Sequence, residues 1–108
     1  MTLEQAKQKI LDRVLSTTEG WAIEYGECMT TMLTHDSLPG LVVQHEVDCP
    51  YNSPKEYSVR LKLSDKTILC VKGEHTDLCL HVHSIFEKAK EEQEILFTSS
   101  IIAFAETL

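Results

Sequence analysis

Four metal-ligating side chains crowd into one short stretch, His75, Cys79, His81 and His83. A zinc ion needs three or four nitrogen or sulfur donors converging at about 2.0–2.3 Å. On a helix, His75 and Cys79 share a face while His81 and His83 point elsewhere. On a strand, Cys79, His81 and His83 share a face and His75 falls in the turn before it. Neither geometry gathers all four, so a metal- or thiol-dependent activity here needs a further donor from across the fold, with His45 and Cys49 as candidates. The competing reading is a set of exposed or packed histidines.

His45, Asp48 and Cys49 supply the residue types of a base, an orienter and a thiol nucleophile. On a strand, His45 and Cys49 face the same way only if no bulge intervenes. Cys49 is followed by Pro50 and not by a helix N-terminus that would stabilise a thiolate. His45 lies between Val43 and Val47 on the apolar face of an alternating segment, where a buried neutral imidazole with a hydrogen-bonding partner is the ordinary outcome. The glycine-rich phosphate loops, the G-x-S-x-G nucleophile elbow and the H-E-x-x-H zinc motif do not occur. The reading is therefore of a non-enzymatic protein with no cofactor.

Charge is the next signal. The chain carries a formal charge of −7. No Lys or Arg occurs between Arg13 and Lys55, whereas Glu19, Glu24, Glu27, Asp36, Glu46 and Asp48 accumulate there. Lys55, Arg60, Lys62, Lys66 and Lys72 then reverse the sign. Two accounts follow: oppositely charged strands lying side by side in one sheet, or an acidic face around Glu24, Glu27, Glu46 and Asp48 offered to a basic protein partner. Direct binding of nucleic acid is disfavoured, because phosphate contacts need a basic surface.

The elements that must position these residues follow from hydrophobic period. Leu3, Ala6, Ile10 and Val14 recur at helical spacing, and Thr2 with Gln5 resembles a capping box, which predicts a helix from Thr2 to about Ser16. Trp21, Ile23 and Tyr25 alternate, and Gly26-Glu27 suits a tight hairpin into Cys28–Leu33. A single helix over Ala22–Leu33 is the alternative. Leu41–Asp48 and Tyr57–Leu63 alternate as half-buried strands, with the Pro-rich segment 49–54 as a loop between them. Thr67–Lys72 is apolar on both faces and reads as a central strand, with Cys70 between Leu69 and Val71 as a small buried hydrophobe.

Beyond Gly73, Leu78, Val82, Ile85, Phe86 and Ala89 form a helical stripe, yet Cys79–His83 also alternates. Helix from Asp77 onward is the favoured reading, with Ser84 and Glu87 offering a later capping box. Phe97, Ile101, Phe104, Ala105 and Leu108 repeat at helical spacing again and suggest a second helix capped near Thr98. Its apolar residues occupy more than one side. They either pack on the chain's own sheet or join a second copy, since two-fold dimers are the commonest oligomers.

The 108 residues and 43% apolar content support one domain with one core. No apolar stretch approaches the roughly 20 residues of a bilayer span. The charged N-terminal segment lacks a signal peptide's apolar centre and the four cysteines form no disulfide framework, so a cytoplasmic location without a membrane role is expected. The fold expected is α+β: an N-terminal helix, an antiparallel sheet of about four or five strands, and one or two C-terminal helices packed on one face.

Overall fold

The computed structural model describes residues 1–26, 30–48 and 55–108, with the side chain of Asp48 outside that description. The described elements run α1 (Leu3–Ser16), β1 (Trp21–Tyr25), β2 (Thr30–His35), β3 (Leu41–Asp48), β4 (Glu56–Leu63), β5 (Lys66–Lys72) and α2 (Asp77–Glu106). The fold is α+β, with an antiparallel meander in which every strand pairs with its neighbours in sequence.

Each boundary has a local cause. The Thr2 side chain accepts from the Gln5 backbone and the Gln5 side chain accepts from the Thr2 backbone, which completes the capping box of α1. Ser64 and Asp65 both take positive φ, 52° and 65°, and close the β4–β5 hairpin with the backbone twist that two-residue loops favour. The β1–β2 and β3–β4 connections, including the proposed Gly26-Glu27 turn and the 49–54 loop, fall largely outside the described residues.

One face of the sheet carries the core. Alternation puts Ile23, Leu33, Val43, Leu61 and Leu69 in one cross-strand row on that face. Val14 of α1 and Leu78, Cys79, Val82, Ile85 and Phe86 of α2 pack against it. The other face is the polar half of the alternation, as expected of an antiparallel sheet covered on one side.

Three expectations are corrected. The segment Thr67–Lys72 lies at the sheet edge and not at its centre, and Cys70 is exposed. A register shift after Leu61 inserts an extra residue, so Ile68, Leu69 and Val71 all reach the core margin while Cys70 stands opposite Arg60 on the open face. The C-terminal segment is one unbroken helix of 30 residues, with no new start at Ser84 or Thr98. Thr76 caps it by accepting from the Cys79 backbone, and the run from Glu87 to Glu94, rich in Glu, Lys, Ala and Gln without Gly or Pro, carries the helix onward. Most of the apolar residues beyond Glu94 do not pack on the chain's own sheet, for every residue after Ala89 is exposed.

No helix among the described residues is long and apolar enough to cross a membrane.

Candidate functional site

The five histidines separate into distinct roles once the chain is folded. His75 is exposed in the turn before α2. Cys79 is fully buried in the core, and His81 on the flank of α2 donates from Nε2 to the Thr17 carbonyl at 3.1 Å. That same carbonyl accepts from Trp21 Nε1 at 2.7 Å, so His81 and Trp21 together tie the end of α1 to the sheet and to α2. His35 Nε2 donates to the Glu19 carbonyl at 2.7 Å while its Nδ1 accepts from the Ser37 backbone. The four residues His75, Cys79, His81 and His83 are therefore not gathered at one point, because a helix turning about 100° per residue sends them to the turn, the core, α1 and the sheet in succession. Among the described residues, no three His, Cys, Asp or Glu side chains are arranged to hold a metal ion.

What the fold does bring together is His83 with His45. The sheet register aligns Tyr25, Thr31, His45, Val59 and Val71 in one row on the core face. Above the row, His83, Phe86, Glu87 and Lys90 follow one stripe of α2 at i, i+3, i+4 and i+7. The two imidazole rings meet edge to face with centroids 4.8 Å apart. Phe86 packs at 5.7 Å from His45, and Tyr57 at 5.8 Å from His83. A cavity of about 300 Å³ opens beside them, lined by Tyr25, Thr31, His45, His83, Phe86 and Lys90 among others.

This pair is electrostatically unusual. His45 is only 5% exposed, and the Nε2 atoms of His45 and His83 are both buried without a hydrogen-bond partner among the described residues. A buried polar atom left unpaired costs about 1–3 kcal/mol. Burial pushes the His45 pKa below its ordinary value of 6.5, and the neighbouring His83 lowers it further, because a second cation beside the first is unfavourable. His45 is thus the buried imidazole its strand position implied, but among the described residues its Nε2 lacks the hydrogen-bonding partner that usually accompanies burial.

No family model, curated protein or solved structure matches the chain.

The acidic candidates divide as well. Glu46 is bound to Arg60 at 2.6 Å across β3 and β4, so oppositely charged strands do lie side by side. Glu24 is exposed on the open face of the edge strand β1. Glu27, Cys49 and the side chain of Asp48 lie outside the described residues, and with them the proposed thiol constellation. Glu19, in the same acidic stretch, pairs with Lys88 of α2 at 3.1 Å.

A second candidate surface is the free half of α2. Ile95, Leu96, Phe97, Ile101, Ile102, Phe104 and Leu108 are 53–93% exposed. The helical residues beyond Ala89 project for roughly 25 Å at a rise of about 1.5 Å each. Phe97, Ile101, Phe104 and Leu108 follow a 4-3-4 spacing along one side, Ile95 and Ile102 lie on the opposite side, and no charged residue occurs from Ile95 to Ala105. Sequence reasoning anticipated the wide apolar surface of this segment. It missed the His45–His83 pair as a unit, and the only signals for it were the strand position of the first and the helical stripe containing the second.

Proposed function

We propose that this protein is a small non-enzymatic protein-interaction module that assembles as a homodimer through the projecting half of α2. The observation that carries the reading is the row of exposed apolar side chains from Ile95 to Leu108. Together they expose on the order of 800 Å² of apolar surface, above the roughly 300–600 Å² of the largest patch on a typical monomer and near the roughly 800 Å² each partner contributes to a standard interface.

Charge favours a second copy as the occupant, paired antiparallel. Side by side in parallel, the acidic residues Glu91, Glu92 and Glu94 of two chains would repel. Antiparallel pairing matches the two uncharged segments and sends the acidic runs to opposite ends, with Phe97, Ile101, Phe104 and Leu108 as interlocking positions. The surface left for a basic partner is the acidic side of the open sheet face, where Glu24 is exposed and Glu46 is shared with Arg60. Charge reversal at Glu24 and Glu46 together, or added salt, weakens such a complex.

Sedimentation velocity over a concentration series tests the assembly. The wild-type chain is expected to sediment as a dimer and Ile101→Glu as a monomer with an unchanged far-ultraviolet spectrum, since Ile101 supports no core contact. A wild-type chain still monomeric at on the order of 100 µM, far above the dissociation constant of a standard interface, refutes the reading.

A further inference from the structure

We propose that the side of the projecting helix turned away from the dimer seam docks an amphipathic helix with basic flanks, supplied by a partner protein. The inference takes from the reading above only the copy that covers the other side. Spacing separates two seams on the exposed end of α2. Phe97, Ile101, Phe104 and Leu108 form the one assigned to the dimer, and Ile95, Thr98, Ile102 and Ala105 form another at 3-4-3 intervals. At about 100° per residue the second seam lies about 110° around the helix from the first, so a copy seated on one leaves the other uncovered. Ile95 and Ile102 are both more than half exposed, and Thr98 and Ala105 are exposed as well.

Charge decides the occupant. A shallow hollow of about 450 Å³ on this side is lined by Glu91, Glu94, Ile95, Thr98 and Ser99, and Glu106 flanks the far end of the seam. No Lys, Arg or His occurs from Glu91 to Leu108. Lys88, one turn earlier on the same side, is paired with Glu19, and Lys90 lies on the side of the dimer seam. A second copy fits poorly here. Antiparallel, with Ile95 against Ala105, it sets Glu94 beside Glu106; parallel, it sets Glu91 and Glu94 beside their own counterparts. A helix with apolar side chains at i, i+3 and i+7 and Lys or Arg on both flanks meets the seam and its acidic border together. The contact spans three turns, about 15 Å from Ile95 to Ala105. It gives the acidic chain a route to a basic partner besides the open sheet face.

The probe is a fluorescent synthetic helical peptide of about 16 residues, with Leu at i, i+3, i+7 and i+10 and Lys flanking that stripe. Its counterparts carry Glu in place of Lys, or the same residues in scrambled order. Fluorescence anisotropy against the full chain is expected to give saturable binding of the Lys peptide, with a dissociation constant on the order of 10 µM at about 100 mM salt. Both counterparts should bind at least about tenfold more weakly. Ile95→Ser with Ile102→Ser should weaken the Lys peptide about tenfold, and Glu91→Lys with Glu94→Lys should do the same while flattening the salt dependence. All four positions are exposed, so the far-ultraviolet spectrum should not change. Ile101→Glu, which opens the dimer, should still bind. Four results overturn the proposal: no saturable binding of the Lys peptide, equal binding of the Glu peptide, unchanged affinity in Ile95→Ser with Ile102→Ser, or loss of binding in Ile101→Glu, which would seat the peptide on the dimer seam. A wild-type chain that stays monomeric yet binds the peptide supports this site and refutes the dimer alone.

Discussion

Replacing His45 with Phe should make the protein more stable, although it removes a buried side chain from the centre of the sheet. The imidazole is 5% exposed and its Nε2 has no hydrogen-bond partner among the described residues, and an unpaired buried polar atom costs about 1–3 kcal/mol. Phenylalanine keeps the aromatic contacts with Phe86, Tyr57 and His83. Its larger ring would cost up to about 1 kcal/mol in a closed core, but the adjoining cavity of about 300 Å³ gives it room. The net expectation is a gain of about 1 kcal/mol near pH 7.5, or about 4–8 °C in melting temperature for a domain near this size.

The pH dependence makes the prediction sharper. The His45 pKa is lowered in the folded state, so the unfolded chain binds more protons in the window below its ordinary value of 6.5. Stability is full above about pH 6.5 and falls as the pH drops through that value towards the depressed folded pKa. The advantage of His45→Phe should therefore widen between about pH 7.5 and about pH 5.5. Urea unfolding of both proteins at the two pH values, with the linear slopes compared, measures it. A variant less stable than wild type by about 1 kcal/mol or more near pH 7.5 would show that the imidazole makes a favourable polar contact, and the reasoning would fail.

Three further outcomes follow from local geometry elsewhere in the fold. Gly20 has φ +83° and an added Cβ would lie 2.8 Å from His35 Nε2, so Gly20→Ala should cost about 1–3 kcal/mol in chemical denaturation through backbone strain and loss of the His35–Glu19 contact. Cys70 is exposed and Cys79 buried, so mass mapping after brief alkylation of the native protein should find Cys70 modified and Cys79 protected until denaturant is added. The Glu46–Arg60 pair is about one-third exposed on each side, so a double-mutant cycle with Glu46→Gln and Arg60→Met should return a coupling of only about 0.2–1 kcal/mol that shrinks with salt.

The elements themselves were legible in the residues. Leu3, Ala6, Ile10 and Val14 with the Thr2–Gln5 box define α1, and the alternation of Leu41–Asp48 and Tyr57–Leu63 defines β3 and β4, because period and capping are local properties of the chain. The buried state of His45 was equally local, since its two strand neighbours on the same face are Val43 and Val47. The wide apolar surface at the end of α2 could also be read directly, because helical spacing shows how many sides of a helix are apolar.

Tertiary structure alone decided the rest. Thr67–Lys72 looked like a central strand because apolar residues fill both faces, but it is the last strand of the meander, and the register shift after Leu61 is what lets Ile68, Leu69 and Val71 all reach the core margin. Whether the apolar end of α2 would fold back was a matter of length, and 30 continuous helical residues outrun a sheet whose longest strands have eight. The meeting of His45 and His83 could not be read at all from sequence. Their separation along the chain carries no period, and only the crossing of one helix stripe over one row of the sheet places the two imidazoles edge to face beside a cavity.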